Sequence, residues 1–150
     1  MLIKNNLIAI AIHACICCIL FFPIQYMWWG GVWFDRMWND EFKYIIYRCL
    51  AIGICTIVAL VAYFFAGRHF LQNTGNMQAN IFSVLALVGI LIIAILLKYA
   101  GIWYGILNTP FYPIGATISY FLRIEENHVF LAMTVLPSLI MWLGLMSKKI

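Results

Sequence analysis

The stretch that decides the fold is YMWWGGVWFDRMWNDEFKY, from Tyr26 to Tyr44. It holds four of the six tryptophans and three of the five acidic residues, and it lies between two long apolar runs. Each charged side chain at the centre of a bilayer costs a few kcal/mol, so this stretch does not cross the hydrocarbon core. Indole rings, which are apolar with one polar N–H, suit the headgroup region instead. The pattern predicts an aromatic connection at one membrane surface.

The composition points to a membrane protein. Hydrophobic residues make up 66% of the 150-residue chain and charged residues only 9%, whereas a soluble domain carries about a quarter charged residues. The length allows about four spans of roughly 20 residues each. We therefore expect an all-α, polytopic integral membrane protein: a single transmembrane domain, built as a bundle of four transmembrane helices with an aromatic-rich interfacial loop layer.

Residues that end helices place the boundaries of these spans. Gly30 and Gly31 end the first span, Gly67 ends the second, and the polar, turn-rich loop 68–80 follows. Pro110 and Pro113 prevent helix continuation, and the apolar segment after them is too short to cross. The predicted spans are residues 7–29, 40–65, 81–107 and 125–146, with an interfacial or re-entrant segment over 108–122.

Four spans put both termini on one side of the membrane. Apart from Arg48, which lies within the second span, four basic residues fall on each side, so the positive-inside rule alone does not orient the chain. Lys148 and Lys149 directly follow the last span, which favours cytoplasmic termini. No N-glycosylation sequon occurs, which is compatible with a bacterial source. We expect a location in the bacterial cytoplasmic membrane, with both termini in the cytoplasm.

The side without termini is the expected binding face, because it carries nearly all tryptophans and tyrosines and every acid. An ordinary aromatic belt decorates both membrane surfaces, so this asymmetry suggests recognition. The candidate binding residues are Trp28, Trp29, Trp33, Trp38, Arg48, Trp103 and Tyr112. For Arg48, snorkelling to the surface with a cation–π contact is the simpler explanation.

Two groups of residues are candidates for chemistry. His13 and Cys17 are four residues apart, hence on one helical face, and are candidate ligands for Cu(I) or Zn(II). Packing explains a membrane cysteine more simply, and no cofactor is expected. Glu125, Glu126 and His128 are candidate catalytic residues of acid–base type. The acids are more simply explained as the start of a helix, where they complement its dipole.

Several function classes lack support in the sequence. There is no basic stripe for nucleic acid, no clear carboxylate within a span for proton coupling, no G-x-S-x-G motif and no phosphate-binding glycine loop. The first hypothesis is therefore a non-catalytic membrane subunit or accessory protein, acting through helix packing and an aromatic extramembrane face. Its partners are the lipid bilayer and another membrane protein or copies of itself. A homo-oligomeric pore and a small enzyme acting on lipid or lipid-linked substrates remain alternatives.

Overall fold

The computed structural model describes residues 1–29, 41–96 and 105–148, and within these it describes only the backbone of 25–29 and 41–48. Regular structure in these ranges is entirely helical. The helices are α1 (Leu2–Trp29), α2 (Glu41–Phe70), α3 (Met77–Phe82), α4 (Leu85–Leu96), α5 (Tyr112–Leu122) and α6 (Glu126–Met146).

Three helical segments are long and apolar enough to cross a membrane: Leu2–Ile24, Cys49–Phe70 and Glu126–Met146. They support the prediction of an all-helical protein that crosses a membrane more than once. The fourth span is not confirmed, because α4 has only 12 described residues and 97–104 lie outside the described residues. Most of the predicted aromatic layer, including Trp33, Trp38 and Trp103, also lies outside them.

The long helices alternate in direction. Asn5 of α1 pairs with Gln72, and His13 pairs with Tyr63, so α1 and α2 are antiparallel. Gly67 of α2 lies against the backbone of Met141, and α6 is antiparallel to α2. The start of α1, the end of α2 and the end of α6 therefore lie together, and we call this the terminal end. The link between α5 and α6 lies at the opposite end.

Helix α2 is longer than predicted: it ends at Phe70, not at residue 65. The prediction was wrong because Gly67 was interpreted as a stop signal. In the structure, Gly67 and Gly144 lie where α2 and α6 cross, each against the backbone of the other helix. The missing side chains allow this close approach.

Helix α1 also begins earlier than the predicted residue 7. The amide of Asn5 donates to the Gln72 carbonyl and accepts from its N–H, at 2.8 and 3.0 Å. Asn6 likewise donates to the Phe82 carbonyl and accepts from the Ala86 N–H, both at 3.0 Å. These bonds hold the first turn of α1 as helix against the loop after α2 and against α3 and α4.

The predicted third span, 81–107, is interrupted in the structure. α3 begins beyond Asn76, whose side chain caps it, and ends at Phe82, and α4 starts at Leu85. The break leaves the N–H of Ala86 without a helical partner, and it donates to the Asn6 side chain of α1 at 3.0 Å, while the Val84 carbonyl accepts a hydrogen bond from Ser138 of α6 at 3.0 Å. A polar side chain on a neighbouring helix thus satisfies the interrupted backbone.

Candidate functional site

A buried polar group joins α1 and α2 to the turn before α5. The Tyr63 hydroxyl lies 2.8 Å from Nδ1 of His13, and the two rings stack with centroids 5.8 Å apart. Nε2 of His13 lies 2.6 Å from the Leu107 carbonyl, and the Cys17 thiol donates to the same oxygen at 3.4 Å. We call His13, Cys17, Tyr63 and Leu107 the histidine cluster.

The partners of His13 determine its protonation pattern. A carbonyl oxygen only accepts, so Nε2 carries the proton that bonds to Leu107. Nδ1 then accepts from the Tyr63 hydroxyl. Both ring nitrogens of the neutral imidazole therefore have hydrogen-bond partners within the protein, as a side chain that is only 5% exposed requires.

The metal-site candidates His13 and Cys17 lie together, with the Cys17 sulfur 3.5 Å from Nε2. A metal ion would have to displace the hydrogen bond to Leu107 or to Tyr63. The described residues contain no group of three or more His, Cys, Asp or Glu side chains able to hold a metal ion. The geometry of this pair therefore favours a structural role.

The turn before α5 is deeply packed. Asn108 and Phe111 are completely buried, and Phe111 stacks on Tyr63 with centroids 5.8 Å apart. The carbonyl of Pro110 accepts a hydrogen bond from Thr56 of α2 at 3.3 Å. Non-helical backbone at membrane depth needs such protein partners, because lipid offers none. His13, which contacts Leu107 directly before the turn, is the midpoint of the apolar segment Leu2–Ile24, so the turn lies near the middle of that segment.

The catalytic candidates Glu125, Glu126 and His128 lie where α6 begins. Glu125 precedes the first turn, and its carboxylate lies 3.7 Å from Nδ1 of His128. The side chains of His128 and Glu125 are 72% and 66% exposed, and Glu126 is exposed too. The structure thus brings Glu125 and His128 together on an open surface.

Of the predicted binding residues, only Tyr112 has a described side chain. It is the first residue of α5, and its ring stacks on Phe130 at 5.2 Å. Burial raises the pKa of the Tyr112 phenol, and the charge of Glu126 raises it further. Trp28, Trp29 and Arg48 lie in helices whose side chains are not described there, and Trp33, Trp38 and Trp103 lie outside the described residues.

The outward surface of α1 differs from those of the other two long helices. Its centre consists of alanine and cysteine, with larger side chains toward both ends. We call this surface the α1 outer stripe; it comprises Ile3, Leu7, Ala11, Ala14, Cys15, Cys18, Ile19 and Phe22, all exposed.

The corresponding surfaces of α2 and α6 are mainly large aliphatic side chains. The α2 surface carries Ile54, Ile57, Val58 and Val61, between 50% and 61% exposed. The α6 surface carries Leu131, Val135, Leu139 and Leu143, with one alanine, Ala132. Large aliphatic residues suit lipid, whereas small ones allow close approach of another helix. Of these three surfaces, the α1 outer stripe is therefore the one that allows the closest approach of another helix.

An apolar cavity of about 230 Å³ opens beside this stripe. Its lining includes Cys18 and Phe22, which belong to the stripe, together with Cys17, Phe21 and Ile106. The lining offers almost no polar surface, so the cavity suits an apolar side chain. It provides a recess next to the shallow centre of the stripe.

Sequence reasoning missed the role of Tyr63, the partner of the only described histidine buried within a span. The available signal was His13 itself, since an imidazole inside a membrane needs hydrogen-bonding partners from the bundle. For the α1 outer stripe, the signal in the sequence is the pair of small residues Ala14 and Cys18, four positions apart on one helical face. Comparison of the chain with protein-family models, curated proteins and solved structures gives no match.

Proposed function

We propose that this protein is a non-catalytic integral membrane subunit that binds a transmembrane helix of another membrane protein through the α1 outer stripe. The single observation that carries the proposal is the contrast among the three long helices. α2 and α6 present large aliphatic side chains, whereas α1 presents Ala11, Ala14, Cys15 and Cys18 at its centre.

The physical basis is the energetics of helix association in lipid. Apolar side chains gain little by leaving lipid for another apolar surface, so close packing has to drive association. Small side chains let two backbones approach, and the cavity lined by Cys18 and Phe22 accommodates a large apolar side chain from the partner. The small side chains and the cavity together form a shallow binding site with one recess.

The polar candidate residues support a catalytic function less than the α1 outer stripe supports partner binding. Glu125 and His128 are mostly exposed, while His13 uses both ring nitrogens for internal hydrogen bonds. Replacing Glu125, Glu126 and His128 together by alanine should leave both the binding of the partner and the level of the protein unchanged. Loss of function with a normal protein level would instead favour the lipid-enzyme hypothesis.

The proposal is tested by extracting the protein from native membranes in mild detergent and measuring the mass and composition of the complex. We expect a second polypeptide at a fixed ratio. Ala14→Phe should release it, because the larger side chain fills the centre of the stripe. Val58→Phe is the matched control, since it enlarges an exposed position on α2.

The other outcomes have distinct meanings. A monomer in all preparations would contradict the proposal. A ring containing this chain alone would favour the homo-oligomeric pore, and conductance in liposomes would then be measured. Release of the partner by Val58→Phe but not by Ala14→Phe would show that the partner binds to the α2 surface instead.

A further inference from the structure

The terminal end carries only basic charge among the described side chains. Lys4 lies in the first turn of α1, Arg68 in the last turn of α2, and Lys148 just beyond α6. The acids with described side chains, Glu125 and Glu126, lie at the opposite end. The positive charge at the terminal end is therefore unopposed within the described fold.

Hydrogen bonds join the segments that carry these three basic residues to one loop. The Lys148 ammonium donates to the carbonyl of Leu71. The neighbour of Lys4, Asn5, binds both backbone groups of Gln72. Leu71 and Gln72 follow Arg68 by three and four residues, so the folded chain brings the segments that carry Lys4, Arg68 and Lys148 to the same end of the molecule.

Helix stabilisation explains only part of this cluster. Arg68 lies at the C-terminal end of α2, where the helix dipole favours a cation. Lys4 lies at the N-terminal end of α1, where the dipole disfavours one, and the first turn of α1 contains no acid. A group that stabilises the charge of Lys4 would therefore lie outside the described part of the chain.

The apolar residues beside the cluster place it at the level of lipid headgroups. Ile3 is 78% exposed next to Lys4, and Phe65 and Phe70, on either side of Arg68, are 50% and 65% exposed. Such side chains suit the acyl region, and the long basic side chains extend from it toward the surface. We propose that the terminal end binds anionic phospholipid headgroups, with Lys4, Arg68 and Lys148 contacting the phosphates.

This assignment also orients the protein. Anionic lipids give the cytoplasmic leaflet its negative surface potential, so the terminal end faces the cytoplasm. The inference does not depend on the α1 outer stripe, because it uses a different part of the molecule and a different partner.

The test is lipid selection by the full-length protein. The protein is reconstituted in vesicles with equal amounts of phosphatidylglycerol and phosphatidylcholine, extracted mildly, and its retained lipid is quantified. Each basic residue at an anionic surface contributes a factor of about five, so we expect the three together to enrich phosphatidylglycerol by more than about fivefold. Lys4→Gln with Arg68→Gln should return the ratio toward the input, while leaving the Lys148 bond to Leu71 in place.

Arg123→Gln is the matched control, because it removes an exposed cation at the opposite end. It should retain the enrichment of the unmodified protein. No enrichment in the unmodified protein, or equal loss in the control, would overturn the proposal. If the double variant unfolds by circular dichroism, Lys4→Gln alone replaces it, and unchanged enrichment there overturns the role of Lys4.

A free-anion site is distinguished by competition. Inorganic phosphate and chloride at equal ionic strength should weaken the enrichment equally, since both screen surface charge. Loss of enrichment in phosphate alone would assign the site to a soluble anion and overturn the lipid assignment.

Discussion

Gly67 of α2 and Gly144 of α6 are reciprocal contact points between two antiparallel helices. A Cβ atom at Gly67 would meet the carbonyl group of Met141, and one at Gly144 would meet the carbonyl group of Phe64. Both obstacles are backbone, so they cannot move away as a flexible side chain can. This crossing fixes the position of α6 against α2.

Alanine at Gly67 should therefore destabilise the protein. Alanine normally favours a helix over glycine, so loss of stability would show that the helices have been forced apart. We expect a cost of about 1–3 kcal/mol, the usual range for overpacking, measured by reversible unfolding in detergent. Gly53→Ala is the control on the same helix, because a Cβ there meets nothing within 4 Å. Equal stability of the two variants would refute the close crossing.

The hydrogen bond between Tyr63 and His13 makes a second prediction. Tyr63→Phe keeps the stacked ring but leaves Nδ1 of His13 without its donor in a buried site. Such a loss costs about 1–3 kcal/mol, which unfolding measurements can detect. Tyr120→Phe removes a hydroxyl from a side chain that is 81% exposed and should be neutral. If both variants unfold like the unmodified protein, Tyr63 does not support His13 energetically.

The two hydrogen bonds between Asn5 and Gln72 lead to a prediction about the loop after α2. Asn5→Ala removes both hydrogen bonds to Gln72, so the amide of Gln72 should exchange its hydrogen faster. Gln78→Ala is a suitable control, because the Gln78 side chain is exposed and its backbone N–H remains capped by Asn76. Unchanged exchange at Gln72 in the Asn5 variant would show that the loop is held by other contacts.

The packed turn before α5 predicts a re-entrant arrangement. In a background without native cysteines, Arg123→Cys and Ser147→Cys should react with an impermeant maleimide from opposite sides of the membrane. Thr109→Cys should react from neither side, because Thr109 is 1% exposed beside the middle of two candidate spans. Ready labelling of position 109 from solution would place the turn at the surface instead.

Local signals predicted much of the helical framework but not its tertiary contacts. The starting acids and the apolar run located α6 to within one residue of the predicted 125–146. Gly67 misled the prediction because glycine serves both as a helix stop and as a packing contact, and only the position of Met141 distinguishes them. The first turn of α1 was missed for a similar reason: Asn5 acquires its partner, Gln72, only in the folded chain.

At the candidate site, too, the sequence predicted the local spacing of residues but not the contacts between residues distant in the chain. The four-residue spacing of His13 and Cys17 predicted that they share a helical face, and their contact follows from that periodicity. The identity of their partners depends on Tyr63 and Leu107, which are distant in the chain and are brought together by folding. The proposed partner surface required knowledge of which side of α1 is left uncovered, which no periodicity supplies for a helix that is apolar all round.

The most direct test of the central claim is a photo-crosslinking amino acid placed at Ala14 in native membranes, with the same group at Val58 as control. We predict that position 14 crosslinks to one distinct polypeptide, whereas position 58 crosslinks to lipid. Crosslinking of position 14 to lipid alone would contradict the claim that the α1 outer stripe binds a protein partner.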